Sequence, residues 1–524
     1  MIDQWQALDA LCALAGVHTE FTANDGTRRR ARPATLVAVL AALGLPIGDV
    51  EGSGEALRAV TARRARQVME PVLVQWVGES RSVRLVLPAG TALDDGWYEL
   101  EREDGTVDRR SMSQVGWSHR SRDELDGRAL DTYEFPLGGG VALPPGYHRL
   151  TVHAPGPVGS ALVMVVPACP VPTRGWGTFL PLHALRTEND RGVGSYADLG
   201  RLAQWTGQAG GALVGTLPLY PVFLEEPVDP SPYRPVTKLG LNELYIDPVG
   251  LPELAIAPAA RRLLASDAVR QQVARARESR FVDPGQVMAT LRSVLAPMAQ
   301  ALFAQPSTRR SELEAFAAAR PELVAYARFR SAGERLRSPW AGWSTAEASA
   351  ASRGTGDDAE HFHLYAQWVA EQQLAVVSGP PGAGLYLDVP VGVHPSGFDP
   401  WWQPDAFAPG VSGGAPPDAF FSGGQNWGFP PLHPEGLRHD GYRYLIAQMR
   451  HAFRHAAAVR VDHIMGLDRL YWLPEGADGG DGAYVQYRNE EMRAVVALEA
   501  SRAGTAVVGE DLGTVPDRVR AAMA

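Results

Sequence analysis

The chain is poor in cysteine, almost devoid of lysine, and has no excess of positive charge. Two cysteines, Cys12 and Cys169, in 524 residues exclude a disulfide framework and a thiolate metal cluster. Lys238 is the single lysine, so nearly all of the 49 basic residues are arginine. With the abundant Ala, Gly and Pro, that bias reads as the coding habit of a GC-rich genome and not as function. Acidic residues outnumber basic ones, 59 to 49, for a net charge of −10. No electrostatic footprint for nucleic acid or anionic lipid is present. No apolar run reads as long enough to cross a membrane. Met1 is not followed by a basic run and an apolar core, so no signal peptide is expected and a cytoplasmic setting is the default. What remains, 45% hydrophobic and 21% charged, is ordinary globular composition at a length suited to two to four domains.

Texture changes along the chain divide it into three modules. Residues 1–65 read as a small helical module: Leu8, Leu11, Cys12 and Leu14 make one apolar face, and Pro33 opens a helix that Gly44 stops. Residues 66–167 read as a β-sandwich of short alternating or apolar runs with turn residues between them. Trp76, Trp97 and Tyr147 in those runs are either core or platforms for sugar rings. Cys169-Pro170-Val171-Pro172 is a linker, and 168–524 has α/β texture. Within it, 252–345 reads as a helical insertion, with helices over 259–279, 284–304 and 311–332. His361 and His363 lie two apart on a further helix over 361–377, so they do not share a face and metal binding there is not expected.

The acids at strand ends organise the rest. Ala456-Ala457-Ala458-Val459-Arg460-Val461-Asp462-His463 reads as a short buried strand that ends on a carboxylate, and Thr505-Ala506-Val507-Val508-Gly509-Glu510-Asp511-Leu512-Gly513 repeats the plan after a helix over 489–504. Strand, helix, strand is the unit of a parallel α/β fold, and in a (β/α)8 barrel the carboxyl ends of the strands form the active face. Neighbouring parallel strands lie about 5 Å apart, close to the spacing of the paired carboxyls in retaining glycosidases. Arg460 shares a strand face with Asp462 and supplies the counter-charge a nucleophile uses. Glu510 would need a drier setting, in which it can hold a proton and donate it. A third strand-like run, Gly384-Leu385-Tyr386-Leu387-Asp388-Val389-Pro390-Val391, also carries an acid, Asp388. Two loops are expected to carry substrate contacts: one rich in proline (Pro227, Pro230, Pro232, Pro235), and 393–434, where Trp401, Trp402 and Trp427 stand in polar surroundings.

Several segments, taken in order, resemble glycoside hydrolase family 77, the amylomaltase or 4-alpha-glucanotransferase family. They are Ser231-Pro232-Tyr233, Leu241-Asn242-Glu243-Leu244-Tyr245-Ile246-Asp247-Pro248, the Asp388 strand, Gly414-Ala415-Pro416-Pro417-Asp418, Gly424-Gln425-Asn426-Trp427-Gly428, Arg460-Val461-Asp462-His463, Gly482-Ala483-Tyr484-Val485-Gln486-Tyr487 and Gly509-Glu510-Asp511-Leu512-Gly513. The resemblance implies a double displacement on α-1,4-glucans, with Asp462 as nucleophile, Glu510 as acid/base and Arg460 beside the nucleophile. It also implies that His463 and Asp388 line the donor subsite, that Tyr233, Gln425 and Trp427 contact glucan, and that Tyr484 and Tyr487 lie near the cleft. A maltooligosaccharide donor, a glucose or maltooligosaccharide acceptor, and no metal or organic cofactor follow from the same resemblance. The family's third carboxylate finds no match, and the expectation is a chain truncated within an incomplete barrel, with that acid beyond Ala524. The alternatives are an α-glucan hydrolase, in which water replaces the acceptor, and a non-catalytic glycan-binding protein.

Overall fold

The computed structural model describes residues 3–523 apart from 23–25, 126, 141, 173, 225–228, 230, 379–381, 419 and 513–514. Pro227 and Pro230 of the proline-rich loop and Gly513 of the second acid motif lie outside the described residues, as do Met1 and Ala524.

The N-terminal residues form α1 (Gln4–Ala15), a hairpin of β1 (Glu20–Thr22) and β2 (Arg28–Arg30), α2 (Pro33–Ala42) and α3 (Ser53–Ala65). The hairpin is not legible in the sequence, because its second strand is three exposed arginines held by Glu20 and Asp9 rather than by apolar alternation. This module is not free-standing. Leu8, Leu11, Leu36 and Leu40 share one continuous core with Trp472 and Tyr487, far along the chain.

The next segment forms two facing sheets. One holds β3 (Val72–Trp76), β5 (Trp97–Glu101), β6 (Val107–Ser111), β9 (Gly146–His153) and β10 (Val158–Val166) in the order β3-β10-β9-β5-β6. The other holds β4 (Ser82–Pro88), β7 (Ser118–Leu125) and β8 (Arg128–Pro136) in the order β4-β8-β7. Alternation drives the packing: Val83, Leu85 and Leu87 of β4 point inward and are fully buried, and the residues between them face out or sit at the sheet edge. Trp97 stacks on His153 at 4.7 Å beneath Arg109, and Tyr147 lies under Arg450 and Arg502.

The third segment builds a five-stranded, all-parallel sheet in chain order from β11 (Gly177–Phe179), β12 (Leu213–Gly215), β13 (Gly384–Val389), β16 (Ala458–Val461) and β19 (Ala506–Gly509). Helices precede the later strands: α4 (Tyr196–Gln208), α12 (Asp358–Val377), α15 (Arg443–Phe453) and α16 (Asn489–Ala503). Ser195 caps α4 reciprocally with Asp198, and Gly504 in the left-handed region (φ 66°) stops α16. Between β12 and β13 stand α5 (Glu253–Ile256), α6 (Pro258–Leu264), α7 (Asp267–Glu278), α8 (Pro284–Ala304), α9 (Thr308–Ala319), α10 (Pro321–Leu336) and α11 (Thr345–Arg353). Ser266 and Pro321 break two of the expected helices into pairs by opening a new first turn.

One membrane reading needs correction. By length and composition α8 is apolar enough to cross a membrane. Its stripe of Val287, Leu291, Val294, Leu295, Met298 and Leu302 instead packs in a core shared with α4 and α12.

Between β13 and β16 the chain forms α13 (Phe398–Trp402), β14 (Val411–Ala415), β15 (Gln425–Asn426) and α14 (Pro434–His439). With β17 (Arg469–Pro474) and β18 (Ala483–Gln486), β14 and β15 make a four-stranded antiparallel sheet, and α17 (Asp517–Met523) follows β19. The region expected as a loop is thus half structured, and two of its tryptophans, partly buried, pack against aromatic neighbours. Trp402 stacks on Phe398 at 5.4 Å, and Trp401 packs against Phe329, Trp343 and Phe398.

Candidate active site

Registry places the two acids side by side. Val461 pairs with Gly509 across β16 and β19, so the next residue on each strand, Asp462 and Glu510, projects from neighbouring strand ends. The backbone ladder continues one step past the strands: the Asp462 N–H donates to Val389 O and the Glu510 N–H to Val461 O, both at 3.0 Å. Both acids wall a single cavity of about 400 Å³, together with Tyr233, Arg234, Trp427 and His463.

Arg460 ties the carboxylates together. It and Asp462 share a strand face, as their spacing requires. Its Nη1 donates to both oxygens of Asp388 (2.8 and 2.9 Å), and its Nη2 donates to Asp462 Oδ1 at 2.6 Å. Asp388, nearly fully buried, also accepts from the Tyr233 hydroxyl at 2.9 Å. Burial pushes the Asp388 carboxyl up, and Arg460 and Tyr233 oppose that push. Asp388 therefore stands behind the cavity and orients Arg460 and Tyr233.

Glu510 is held by the backbone. Its Oε2 accepts from the His463 N–H at 2.9 Å and its Oε1 from the Leu512 N–H at 2.7 Å. The first bond exists because His463 adopts a left-handed conformation (φ 47°), uncommon for a non-glycine residue and informative beside a reactive pair. Burial lowers the His463 imidazole, so it is neutral near pH 7. Its ring meets Trp427 edge to face at 5.2 Å.

Trp427 forms part of the cavity wall, half-buried, stacked on Phe429 at 5.9 Å and donating through Nε1 to Gln425 Oε1 at 3.1 Å. Gln425 thus reaches the cavity through Trp427. Tyr487 lies deeper: its hydroxyl donates to Leu432 O, and it lines a second, smaller cavity beneath Asp462 and His463. The structure keeps Tyr484 out of both cavities. Its ring is enclosed by Phe21 and Tyr471 with Arg469 above it, in a cluster where β18 meets the N-terminal hairpin. Strand alternation decides which face a residue takes, and a sequence string alone does not say which face looks at the cleft. Arg234, Val391, Gly392 and Phe429 are wall residues that sequence reading missed; Gly392 carries a signal only once its neighbour is known. A Cβ at Gly392 would intrude into the Phe429 ring. Gly392→Ala is therefore expected to raise KM for glucan by displacing Phe429 and Trp427, at a stability cost of about 1–3 kcal/mol. Kinetics on maltotriose alongside thermal unfolding check both.

Elsewhere the histidine pair of α12 has structural partners: His363 bonds Glu334 at 2.7 Å and His361 stacks on Phe303 at 3.8 Å. Among the described residues no group of three or more His, Cys, Asp or Glu is placed to hold a metal ion.

A parallel sheet with an acid at each of two adjacent strand ends over one cavity, one of them paired with an arginine, is an arrangement suited to chemistry on a glycosidic bond. Comparison with known proteins is more specific. Residues 180–524 match the profile of glycoside hydrolase family 77, described as 4-alpha-glucanotransferase, and residues 68–167 match the N-terminal β-sandwich domain described for MalQ. A 4-alpha-glucanotransferase of Mycobacterium tuberculosis is 35% identical, covering 96% of this chain and 72% of the relative. One from Haemophilus influenzae is 32% identical over 66% of this chain and 53% of its own. The crystal structure of amylomaltase from Corynebacterium glutamicum superposes with a TM-score of 0.84 at 26% identity, over 99% of this chain and 74% of that one. The chain belongs to the glycoside hydrolase 77 family of 4-alpha-glucanotransferases.

Proposed function

We propose that the cavity between β16 and β19 moves α-1,4-glucan segments between maltooligosaccharides by a retaining double displacement. The observation that carries this reading is the opposition of Asp462 and Glu510 at paired strand ends over one cavity, with Arg460 on the Asp462 carboxylate. Asp462 attacks the anomeric carbon of the donor while Glu510 protonates the departing glycosidic oxygen. Glu510, now a carboxylate, then takes the proton from the 4-hydroxyl of an acceptor glucan, and that oxygen displaces Asp462. Proton donation requires a Glu510 oxygen to leave its backbone N–H partner, so the side chain must turn into the cavity during the first step. Trp427 offers a ring face to a sugar, His463 a neutral imidazole at the donor subsite, and Tyr233 a glucan contact from the cavity wall.

The five-stranded sheet is read as part of a (β/α)8 barrel, supported by its all-parallel chain order and by acids at its carboxyl ends. The division into 1–65, 66–167 and 168–524, with a helical insertion at about 252–345, is supported by the separate core of the sandwich. A cytoplasmic location is proposed from composition.

Incubation of the protein with maltotriose tests the reading. Transfer gives a ladder of longer maltooligosaccharides together with glucose. Glucose and maltose without longer products would replace transfer with hydrolysis, and binding without turnover would overturn catalysis.

A further inference from the structure

Lys238, the only lysine in the chain, is 3% exposed and lies in the segment that follows Tyr233. A buried ammonium is costly unless its charge is used. Its Nζ donates to Val391 O at 2.7 Å, its one hydrogen-bond acceptor among the described residues. Val391 and its neighbour Gly392 are walls of the 400 Å³ cavity. With Val391, Gln448, Asp462 and His463, Lys238 also lines a smaller cavity of about 50 Å³. That volume admits one or two water molecules. Gln448 is 3% exposed, and its Oε1 is buried with no hydrogen-bond partner, so the small cavity holds both an ammonium with donors to spare and an unpaired acceptor. Arg460 does not line it.

We propose that Lys238 is a positioning residue for the displacement: its buried ammonium fixes the Val391 carbonyl and, across the small cavity, places a second positive charge beneath the Asp462 carboxylate. The inference rests on the reading of Asp462 as nucleophile. It gives the charge a task. Arg460 divides itself between Asp388 and Asp462, and Lys238 supplies the remaining counter-charge as Asp462 leaves the glucosyl carbon in the second step.

The groups facing Lys238 are Asp399 on α13, whose carboxylate accepts from the Lys238 backbone N–H (2.9 Å), Thr237 (2.5 Å) and Tyr444 (2.7 Å), then Asp462 and His463 after β16, and Tyr487 after β18. Burial pushes the ammonium down from 10.5 to about 8, while Asp399 and then Asp462 hold it up. The charged form is therefore present below pH 8 and is lost as pH rises through it.

Lys238→Met and Lys238→Arg test the inference, with kcat and KM for maltotriose followed across pH. For Lys238→Met, kcat falls on the order of 10–100-fold, or one to two decades of rate, while KM changes little and the midpoint of thermal unfolding drops, because the Val391 carbonyl loses its donor and the buried Asp399 carboxylate loses a counter-charge. The wild-type kcat declines as pH rises through about 8; Lys238→Met lacks that limb, and Lys238→Arg restores kcat and moves the limb to higher pH. Lys238→Met with wild-type kcat and an unchanged basic limb overturns the inference. Should Lys238→Met not fold, Lys238→Arg decides alone: a basic limb left near pH 8 overturns it. If Asp462→Asn stays active, the nucleophile reading fails whatever Lys238 does. If Asp462→Asn is inactive and the Lys238 variants behave as wild type, only the role of Lys238 fails.

Discussion

Asp462→Asn is expected to cut kcat by roughly 10⁴–10⁶-fold, the scale on which removal of a covalent nucleophile is felt, and to leave the fold intact. Asparagine keeps a carbonyl oxygen where Asp462 now accepts from Arg460 Nη2, so the local network survives while the attacking carboxylate is gone. Glu510→Gln is expected to behave differently. It loses about 10²–10⁴-fold in rate on ordinary maltooligosaccharides, the usual weight of general acid/base catalysis. Its stability falls by about 1 kcal/mol, because glutamine keeps one accepting oxygen and its NH2 group, a donor only, then faces either the His463 or the Leu512 N–H. An α-maltosyl fluoride donor separates the two. Its leaving group needs no proton, so it rescues the first step of Glu510→Gln and leaves Asp462→Asn inactive. Steady-state rates on the two donors, beside thermal unfolding of each variant, check this.

Arg460→Met is expected to damage both activity and stability. It strips the bidentate partner from Asp388, a carboxylate with a side chain only 6% exposed, and leaves the Tyr233 hydroxyl as donor. Leaving a buried charge without its partner costs about 3 kcal/mol or more. The pH dependence has a definite sign. Burial already raises the Asp388 carboxyl, and without Arg460 nothing of comparable strength opposes it. The folded variant then binds a proton at higher pH than the unfolded chain does. Its deficit relative to wild type is therefore largest above that pH and shrinks as the solution is acidified. Adding Asp388→Asn should recover much of the stability and little of the activity, since Asp462 still lacks its guanidinium. Urea unfolding of the single and double variants at pH 5 and pH 8 reads this out.

How much of this was legible in the sequence depended on whether a residue's role is local. The Asp462 and Glu510 strands could be read because strand, acid and intervening helix are encoded within each segment, and parallel registry does the rest. The link from Arg460 to Asp462 followed from alternation, but its second link, to Asp388 on β13, depends on which strands pair and was not legible. Trp401 and Trp402 looked hard to place in a core because their own segment is polar. Their partners, Phe329 and Trp343 on one side and Phe398 on the other, include residues from a distant insertion. Tyr484 and Tyr487 differ by three positions, yet one faces the N-terminal hairpin and the other the floor of the site, a distinction set by where β18 ends. Lys238 was visible as the sole lysine, but only its burial beside Asp462 turns a compositional oddity into a residue with a task.

The central claim is that the residue after β16 forms a covalent bond to the sugar. Glu510→Gln incubated with α-maltosyl fluoride should accumulate a maltosylated protein, because the second step lacks its base. Mass spectrometry of the digested protein should then find the added maltosyl mass on the peptide that contains Asp462. The same mass on a peptide carrying Asp388 or another acid, or fluoride release with no adduct and an inverted product, would contradict the account.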